Sequence, residues 1–278
     1  MSEVGKSDLR VRKLQIDGLR VAYEQAGEGP PLVLLHGALS DSRVWRPQIE
    51  DLSDEFTVVA WDAPGAGQSS DPTEPYGLSD WADSLAAFLE ALELGPAHVL
   101  GLSWGGSLAL ELYSRHARVA GSLILADTYA GWKGSLPEAV CAERLEMALR
   151  TSTMPPSELV SRSLPEPLSG AAPPELANEL ASFMSDFHPV GLRLMAHAMA
   201  EADLRDVLPE IQVPTLLLWG DADERSPLSI AEQMLDAIPG ARLAVIPGAG
   251  HVSNMEQPAR FSAEVREFCR SVPVGRPL

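Results

Sequence analysis

The stretch from residue 98 to residue 116, HVLGLSWGGSLALELYSRH, joins an apolar run to a segment with helical spacing through a turn rich in glycine. At its centre, Gly101-Leu102-Ser103-Trp104-Gly105-Gly106 fits the pattern G-x-S-x-G. Neighbouring chains pass close together at such a strand-to-helix turn, so a Cβ at Gly101 or Gly105 would clash. The pattern predicts that Ser103 stands exposed at the edge of a sheet, beside the N–H groups that open the helix. The alternative is a glycine-rich turn with an incidental serine, because the pattern alone is common.

Further apolar runs lie on both sides of this stretch, and their lengths indicate strands buried on both faces. Ahead of them, residues 14–17 and 19–24 alternate apolar and polar side chains around Asp17-Gly18, which predicts an antiparallel hairpin. The buried strands are predicted at residues 32–35, 56–61, 98–102, 123–126, 216–219 and 243–246.

Segments with helical spacing alternate with these runs, at residues 79–92, 104–116, 227–238 and 258–270. This alternation predicts an α/β fold, with a mostly parallel, doubly wound sheet covered by helices on both faces. The alternation breaks over residues 128–212, where prolines are dense and short helical patches occur at 139–150 and 175–187. We therefore predict a core of residues 1–127 and 213–278 that carries a helical insertion of residues 128–212. The insertion is too rich in Leu, Met and Phe for a disordered linker.

A serine hydroxyl is a poor nucleophile at neutral pH unless a base takes its proton, so Ser103 requires a histidine. His251 follows the last predicted strand in the glycine-rich loop Pro247-Gly248-Ala249-Gly250, from which an imidazole can reach back across the strand ends. The remaining histidines are expected to be structural, packed or solvated: His36, His98, His116, His188 and His197.

A carboxylate is also needed to orient the histidine. Asp223 is the preferred candidate, because Gly220-Asp221-Ala222-Asp223 places it in the loop after the strand at 216–219. Asp221 could instead cap the turn, and Asp127, which follows the strand at 123–126, is a less favoured third candidate.

An oxyanion hole completes the set of groups needed for acyl transfer. His36-Gly37-Ala38-Leu39 follows the strand at 32–35, and a glycine there lets the chain turn. We expect the N–H groups of Ala38 and Trp104 to face a substrate oxygen together. His36 is expected to support this loop through hydrogen bonds.

The charge balance bears on possible partners. The 278 residues include 39 Asp and Glu against 21 Lys and Arg, giving a formal net charge of −18 at pH 7. Nucleic-acid binding relies on clustered basic side chains, and no such stripe occurs, so that role is disfavoured. The acidic field would repel anionic substrates, which favours small, largely neutral ones.

The sequence gives no indication of a metal ion, an organic cofactor or a membrane segment. The two cysteines, Cys141 and Cys269, match neither a disulfide framework nor a redox pair or zinc site. The polar N-terminus lacks the apolar run of a signal peptide, and no stretch approaches the ~20 apolar residues of a membrane span. We therefore expect a cytoplasmic protein that needs no metal or organic cofactor and binds no membrane.

HGAL, WDAPGAGQS, GLSWGG, GDADE and GAGH, with a serine, an aspartate and a histidine in that order, stand where the α/β-hydrolase superfamily has its loops, and the chain resembles that superfamily over about residues 14–270. Residues 202–214 and the stretch His251-Val252-Ser253-Asn254-Met255-Glu256-Gln257-Pro258 are similar to those of the 3-oxoadipate enol-lactonase-like hydrolases, and the chain also resembles carboxylesterases. The resemblance implies that Ser103, Asp223 and His251 form a catalytic triad. It also implies that the insertion is a helical cap over the active site.

Two departures shape the expected activity. Enol-lactonases act on a dianionic lactone, whereas this chain is acidic and residues 128–212 offer no obvious arginine cluster. Epoxide hydrolases and haloalkane dehalogenases of this fold use an aspartate nucleophile, which Ser103 excludes. We therefore predict hydrolysis of carboxylic esters or lactones through an acyl-enzyme.

Other readings of the same triad are a carbon–carbon bond hydrolase and a cofactor-free perhydrolase. A slow-turnover ligand receptor or regulatory partner represents a different class. In the cap, Trp132 is the preferred pocket residue, because it lies soon after the strand that ends before Asp127. Other apolar residues that could line a pocket, or pack the cap on the core, are Met147, Phe183, Met184, Met195 and Met199.

Overall fold

A computed structural model describes residues 9–155, 158, 168–170, 172–272 and 274. The predicted hairpin is present, with its two strands paired antiparallel from Arg12 opposite Tyr23 to Ile16 opposite Leu19. Asp17 and Gly18 form its turn with positive φ angles of 48° and 83°. Asp and Gly favour that conformation, which matches the twist of the flanking strands.

Eight strands run through the described residues. They are β1 Arg12–Ile16, β2 Leu19–Ala26, β3 Pro31–Leu35, β4 Thr57–Asp62, β5 Ala97–Leu102, β6 Ala120–Ala126, β7 Thr215–Gly220 and β8 Arg242–Ile246. They form one sheet in the order β1-β2-β4-β3-β5-β6-β7-β8. The hairpin strands pair antiparallel, β2 pairs antiparallel with β4, and the pairs from β4 through β3 to β8 are parallel. The predicted α/β class with a mostly parallel sheet is confirmed.

Helices follow the strands, as the alternating pattern predicts. Those that include residues 79–91, 104–116, 228–237 and 258–270 occur as expected, whereas the short helix after β3 was not predicted. The helices of the described residues are α1 Arg46–Leu52, α2 Leu78–Ala91, α3 Trp104–His116, α4 Trp132–Ser135, α5 Glu138–Thr151, α6 Pro174–Ser185, α7 Pro189–Glu201, α8 Leu228–Ala237, α9 Ser253–Glu256 and α10 Pro258–Ser271. Short 3₁₀ segments lie at Ser42–Trp45, Ala117–Val119 and Leu208–Glu210.

The sheet separates two hydrophobic cores, because successive side chains of a strand point to opposite faces. On β3, Val33 and Leu35 pack with α2, α3 and α8 in one core. Leu32 and Leu34, on the same strand, pack with α1 and α10 in the other. Continuous apolar runs are therefore needed wherever helices cover both faces.

One strand departs from the expected burial. β8 was predicted to be buried on both faces, but Arg242 is exposed and Leu243 to Val245 are only half-buried. β8 lies at the edge of the sheet. An edge strand has a neighbour on one side only, so its apolar run is less completely covered than the runs of the inner strands.

The chain between β6 and β7 is helical where the structure describes it. Helices α5 and α6 correspond to the two predicted patches, and α7 was not specifically predicted. Part of the proline-dense stretch, including Pro156, Pro165 and Pro167, lies outside the described residues. The division into core and cap stays a prediction.

Candidate active site

The three residues of the predicted triad lie in loops at the carboxyl end of the sheet. Ser103 follows β5, Asp223 follows β7 and His251 follows β8. In the sheet, β6 separates β5 from β7, and β8 is next to β7. Parallel strands end at the same edge, so this topology gathers residues that are far apart in the sequence.

The turn at Ser103 is strained in the way its glycine pattern predicts. Ser103 has φ 54° and ψ −117°, a backbone conformation that side-chain-bearing residues rarely adopt. A Cβ on Gly101 would lie 2.2 Å from the carbonyl oxygen of Gly105, and one on Gly105 would lie 2.3 Å from that of Leu35. Only glycine permits these approaches, which hold the serine at the tip of the turn.

A continuous hydrogen-bond chain connects the three side chains. The Nδ1 atom of His251 lies 2.8 Å from Oδ2 of Asp223, and its Nε2 atom lies 2.8 Å from Oγ of Ser103. A carboxylate can only accept, so Nδ1–H donates to Asp223 and Nε2 is left to accept from the serine hydroxyl. His251 and Asp223 are buried, which shields the pair from water.

The position of Asp223 is fixed by its own loop. Its Oδ1 atom accepts the backbone N–H groups of Arg225 and Ser226, each at 2.8 Å. These two bonds turn the other carboxylate oxygen toward His251. The structure therefore brings together the three side chains that the sequence singles out.

The two other candidate carboxylates have different partners. Asp221 accepts the N–H of Gly248 at 2.5 Å and so supports the turn after β8, in keeping with the capping alternative. Asp127 accepts from the N–H of Gly220 and the hydroxyl of Ser253. Asp223 is the carboxylate found in contact with His251.

The loop after β3 lies against the serine. A Cβ on Gly37 would be 3.3 Å from Cβ of Ser103, so glycine lets the loop approach the hydroxyl. Ala38 and Trp104 line the same cavity as Ser103 and His251. In the described part of the chain, the backbone N–H groups of Ala38 and Trp104 donate to no acceptor. Trp104 opens α3, where N–H groups lack intrahelical partners.

His36 supports this loop, as expected. Its Nδ1 atom donates to the carbonyl oxygen of Gly37 at 2.7 Å, and its Nε2 atom accepts the N–H of Ala63 at 3.0 Å. It thus ties the loop after β3 to the chain after β4.

A cavity of about 420 Å³ opens onto Ser103 and His251. Its lining includes Trp132 and four methionines on α5, α6 and α7. These are Met147, Met184, Met195 and Met199. Phe183 does not line this cavity, because its ring packs instead against the guanidinium of Arg43, 4.8 Å from the ring centroid.

One wall of the cavity carries charges that the sequence analysis missed. Arg144, on α5, donates from Nη1 to the hydroxyl of Tyr129 and from Nη2 to the backbone oxygen of Arg225, both at 2.8 Å. Its guanidinium carbon lies 5.9 Å from the centroid of the Trp132 ring. Two glutamates, Glu143 and Glu224, also line the cavity. The signal was present in the helical spacing of cavity residues on α5, which are Val140, Glu143, Arg144, Met147, Ala148 and Thr151.

The other histidines lie away from the triad. His98, on β5, pairs with the hydroxyl of Ser122 at 2.7 Å, and His116 pairs with Asp83 at 2.6 Å. His188 contacts Asp71 and the carbonyl oxygen of Gly67, and His197 is exposed.

Among the described residues, no group of three or more His, Cys, Asp or Glu side chains is placed to hold a metal ion. Among the helices described, none is both long and apolar enough to cross a membrane. Cys141 and Cys269 are free and buried.

Comparisons with known proteins agree with the fold. Residues 32–264 match the Alpha/beta hydrolase family. The chain is 29% identical over 279 residues to 3-oxoadipate enol-lactonase 1 of Acinetobacter baylyi, covering 98% of this chain and 100% of that one. A thermophilic esterase from Thermogutta terrifontis superposes with a TM-score of 0.87 at 32% identity, covering 95% of this chain and 100% of the esterase. The enol-lactonase from Burkholderia xenovorans LB400 gives a TM-score of 0.83 at 26% identity, covering 93% and 100%.

Proposed function

The chain belongs to the alpha/beta hydrolase family, and on that premise we propose that it hydrolyses carboxylic esters or lactones through an acyl-enzyme formed on Ser103. The observation that carries the proposal is the hydrogen-bond chain from Asp223 through His251 to Ser103, with 2.8 Å at each step. Its relatives include proteins described as an enol-lactonase and an esterase, which supports this class of reaction.

In the first half of the reaction, Ser103 Oγ attacks the substrate carbonyl carbon while Nε2 of His251 takes the hydroxyl proton. Asp223 holds the imidazole in the required tautomer and stabilises the imidazolium. When the tetrahedral intermediate collapses, the bond to the alcohol oxygen breaks and His251 gives its proton to the leaving alcohol.

In the second half, a water molecule attacks the acyl-enzyme. His251 takes a proton from that water and then returns it to Ser103 Oγ as the acid leaves. All proton transfers pass through one imidazole, so the chemistry is supplied by side chains of this chain.

The negative charge that develops on the carbonyl oxygen needs donors placed in advance. The N–H groups of Ala38 and Trp104 are the proposed pair, because they have no acceptor in the described structure and both residues line the cavity beside Ser103. Loss of one donor of this kind raises the reaction barrier by ~3 kcal/mol in other enzymes.

The cavity supports a small substrate with an apolar arm. Its volume of about 420 Å³ is in the range of small-molecule sites. Methionine side chains adapt to varied apolar shapes, so the methionine-lined wall suits acyl groups of different lengths. Trp132 is proposed to shape the pocket next to Arg144, whose guanidinium lies over its ring.

The proposal is tested with p-nitrophenyl esters of increasing acyl length and with γ-lactones and acyl-homoserine lactones. Ser103→Ala should lower kcat by at least about 10³-fold, because the nucleophile is lost. A fluorophosphonate should label the wild type at residue 103. Ser114→Ala is the matched control, since Ser114 is an exposed serine on the same helix. Full esterase activity in purified Ser103→Ala would refute the proposal.

A further inference from the structure

The proposed mechanism leaves one buried carboxyl group beside the triad unused. Asp127 directly follows β6, has no exposed surface and adopts φ 44°. A carboxyl group removed from water is costly unless its oxygens are hydrogen-bonded. The hydrogen-bond partners of Asp127 therefore indicate which parts of the structure this side chain positions.

Asp127 connects the loops of two triad residues. Its Oδ1 atom accepts the N–H of Gly220 at 2.8 Å, three residues before Asp223. Its Oδ2 atom accepts the hydroxyl of Ser253 at 2.5 Å, two residues after His251. One side chain thus spans from the strand end that carries the acid to the helix that follows the base.

The two residues after Asp127 reach the remaining loop. The Thr128 hydroxyl donates to the backbone oxygen of Ser103, and the Thr128 backbone oxygen accepts the hydroxyl of Ser226 at 2.7 Å. The backbone oxygen of Tyr129 accepts the Ser107 hydroxyl, in α3, at 2.8 Å. The triplet Asp127-Thr128-Tyr129 therefore contacts the loops of the nucleophile, the acid and the base.

We propose that Asp127 is a positioning residue of the triad, which holds the acid loop and the histidine loop in register so that the imidazole of His251 lies between Asp223 and Ser103. The inference rests on the proposed hydrolase mechanism. Proton transfer from Ser103 depends on the geometry of this imidazole, and a misplacement of about 1 Å can cost 10²-fold in rate. The two hydrogen bonds of Thr128 connect the turn at Ser103 and the loop that carries Asp223 to the same triplet.

The chemical environment of Asp127 suggests how to test it. Burial, and then the negative charge of Asp223, raise the pKa of Asp127 well above its usual range, with a smaller contribution from Glu256. An asparagine has the same shape and no charge. Its oxygen can accept from Gly220, and its amide N–H can donate to the Ser253 hydroxyl.

The experiment compares three variants with the wild type on one p-nitrophenyl ester. Asp127→Ala removes both bonds, Asp127→Asn retains both contacts with the direction of the Ser253 bond reversed, and Ser253→Ala removes the histidine-side bond alone. Ser262→Ala is the matched control, because Ser262 is a buried serine whose Oγ has no partner in the described structure. Folding is checked for each by circular dichroism and thermal unfolding, and kcat and KM are measured separately.

The expected result is a split between kcat and KM. Asp127→Ala should lose about 10- to 100-fold in kcat with KM within about twofold of the wild type. Asp127→Asn should recover most of that loss, Ser253→Ala should lose several-fold in kcat, and Ser262→Ala should match the wild type. A merely structural role would lower the amount of folded enzyme and leave the kcat of the folded fraction unchanged.

Contrary outcomes are distinct. If folded Asp127→Ala and Ser253→Ala keep wild-type kcat while Ser103→Ala is inactive, the positioning role is wrong and the hydrolase mechanism stands. If Asp127→Asn is as impaired as Asp127→Ala, retaining the two contacts does not restore the rate, which also overturns the proposal. If Ser103→Ala retains activity, both the mechanism and the positioning role fall.

Discussion

His98 shows how a single buried side chain can make the stability of the whole protein depend on pH. It lies on β5 with its Nδ1 atom 2.7 Å from the Ser122 hydroxyl, and it is almost completely buried. Burial lowers the pKa of His98 from 6.5 to about 4. In the unfolded chain the ring regains its ordinary pKa, so it takes up a proton at a pH where the folded ring stays neutral.

We therefore expect folding stability to be lost as the pH falls from about 6.5 towards 4, and to be fully present above that window. At pH 4.5, protonation of His98 in the unfolded chain should lower the free energy of unfolding by about 2–3 kcal/mol. Urea unfolding of the wild type and His98→Asn at pH 7 and pH 4.5 measures it, because asparagine keeps a partner for Ser122 and does not titrate. His197→Asn, at an exposed histidine, is the control. Equal acid destabilisation of the wild type and His98→Asn would contradict the expectation.

At the scale of elements, helix α7 approaches the core closely at one point. A Cβ on Gly191 would lie 1.8 Å from the carbonyl oxygen of Gly65, so the backbones touch where α7 begins. The next turns of α7 supply part of the cavity wall. These residues are Leu192, Met195, Ala196 and Met199.

Gly191→Ala should push α7 away from the core and widen the cavity, because the obstructing atom is backbone and cannot rotate aside. The free energy of unfolding should fall by roughly 1–3 kcal/mol, as in other overpacked sites. The ratio of kcat/KM for hexanoate to that for acetate p-nitrophenyl ester should rise several-fold. Gly77→Ala is the control, since its nearest contact would be an ordinary 3.7 Å. An unchanged ratio in folded Gly191→Ala would mean that this contact does not set the cavity width.

The helices and strands also show which structural features can be predicted from the sequence. Strands, helices and the turn at Ser103 are encoded by local patterns, and strand ends of a parallel sheet meet at one edge, so Asp223 and His251 could be placed. The partial exposure of β8 depends on its edge position, which its apolar run does not encode. The bond of Arg144 to the backbone oxygen of Arg225 and the bonds of Asp127 join residues about 80 to 130 positions apart, and no local periodicity specifies them.

At the scale of the whole molecule, the net charge of −18 should act on substrates before they reach the cavity. Surface charges of one sign raise the local concentration of oppositely charged molecules and lower that of like-charged ones. Salt screens this field, since the Debye length falls from about 30 Å at 0.01 M to about 3 Å at 1 M. The attraction or repulsion of charged substrates, and its screening by salt, both change kcat/KM.

We expect kcat/KM for an ester with a quaternary ammonium group to fall several-fold between about 0.01 M and 1 M salt, whereas that for an isosteric carboxylate-bearing ester rises. A neutral ester of the same shape corrects for effects of salt on the enzyme itself. Arg144, which lines the cavity, could bind an anionic group by direct contact. A short-range contact of this kind would change the value of kcat/KM more than it would change the salt dependence of kcat/KM. If kcat/KM changed with salt in the same way for the cationic and the anionic ester, the net charge of the protein would have no effect on how charged substrates associate with the site.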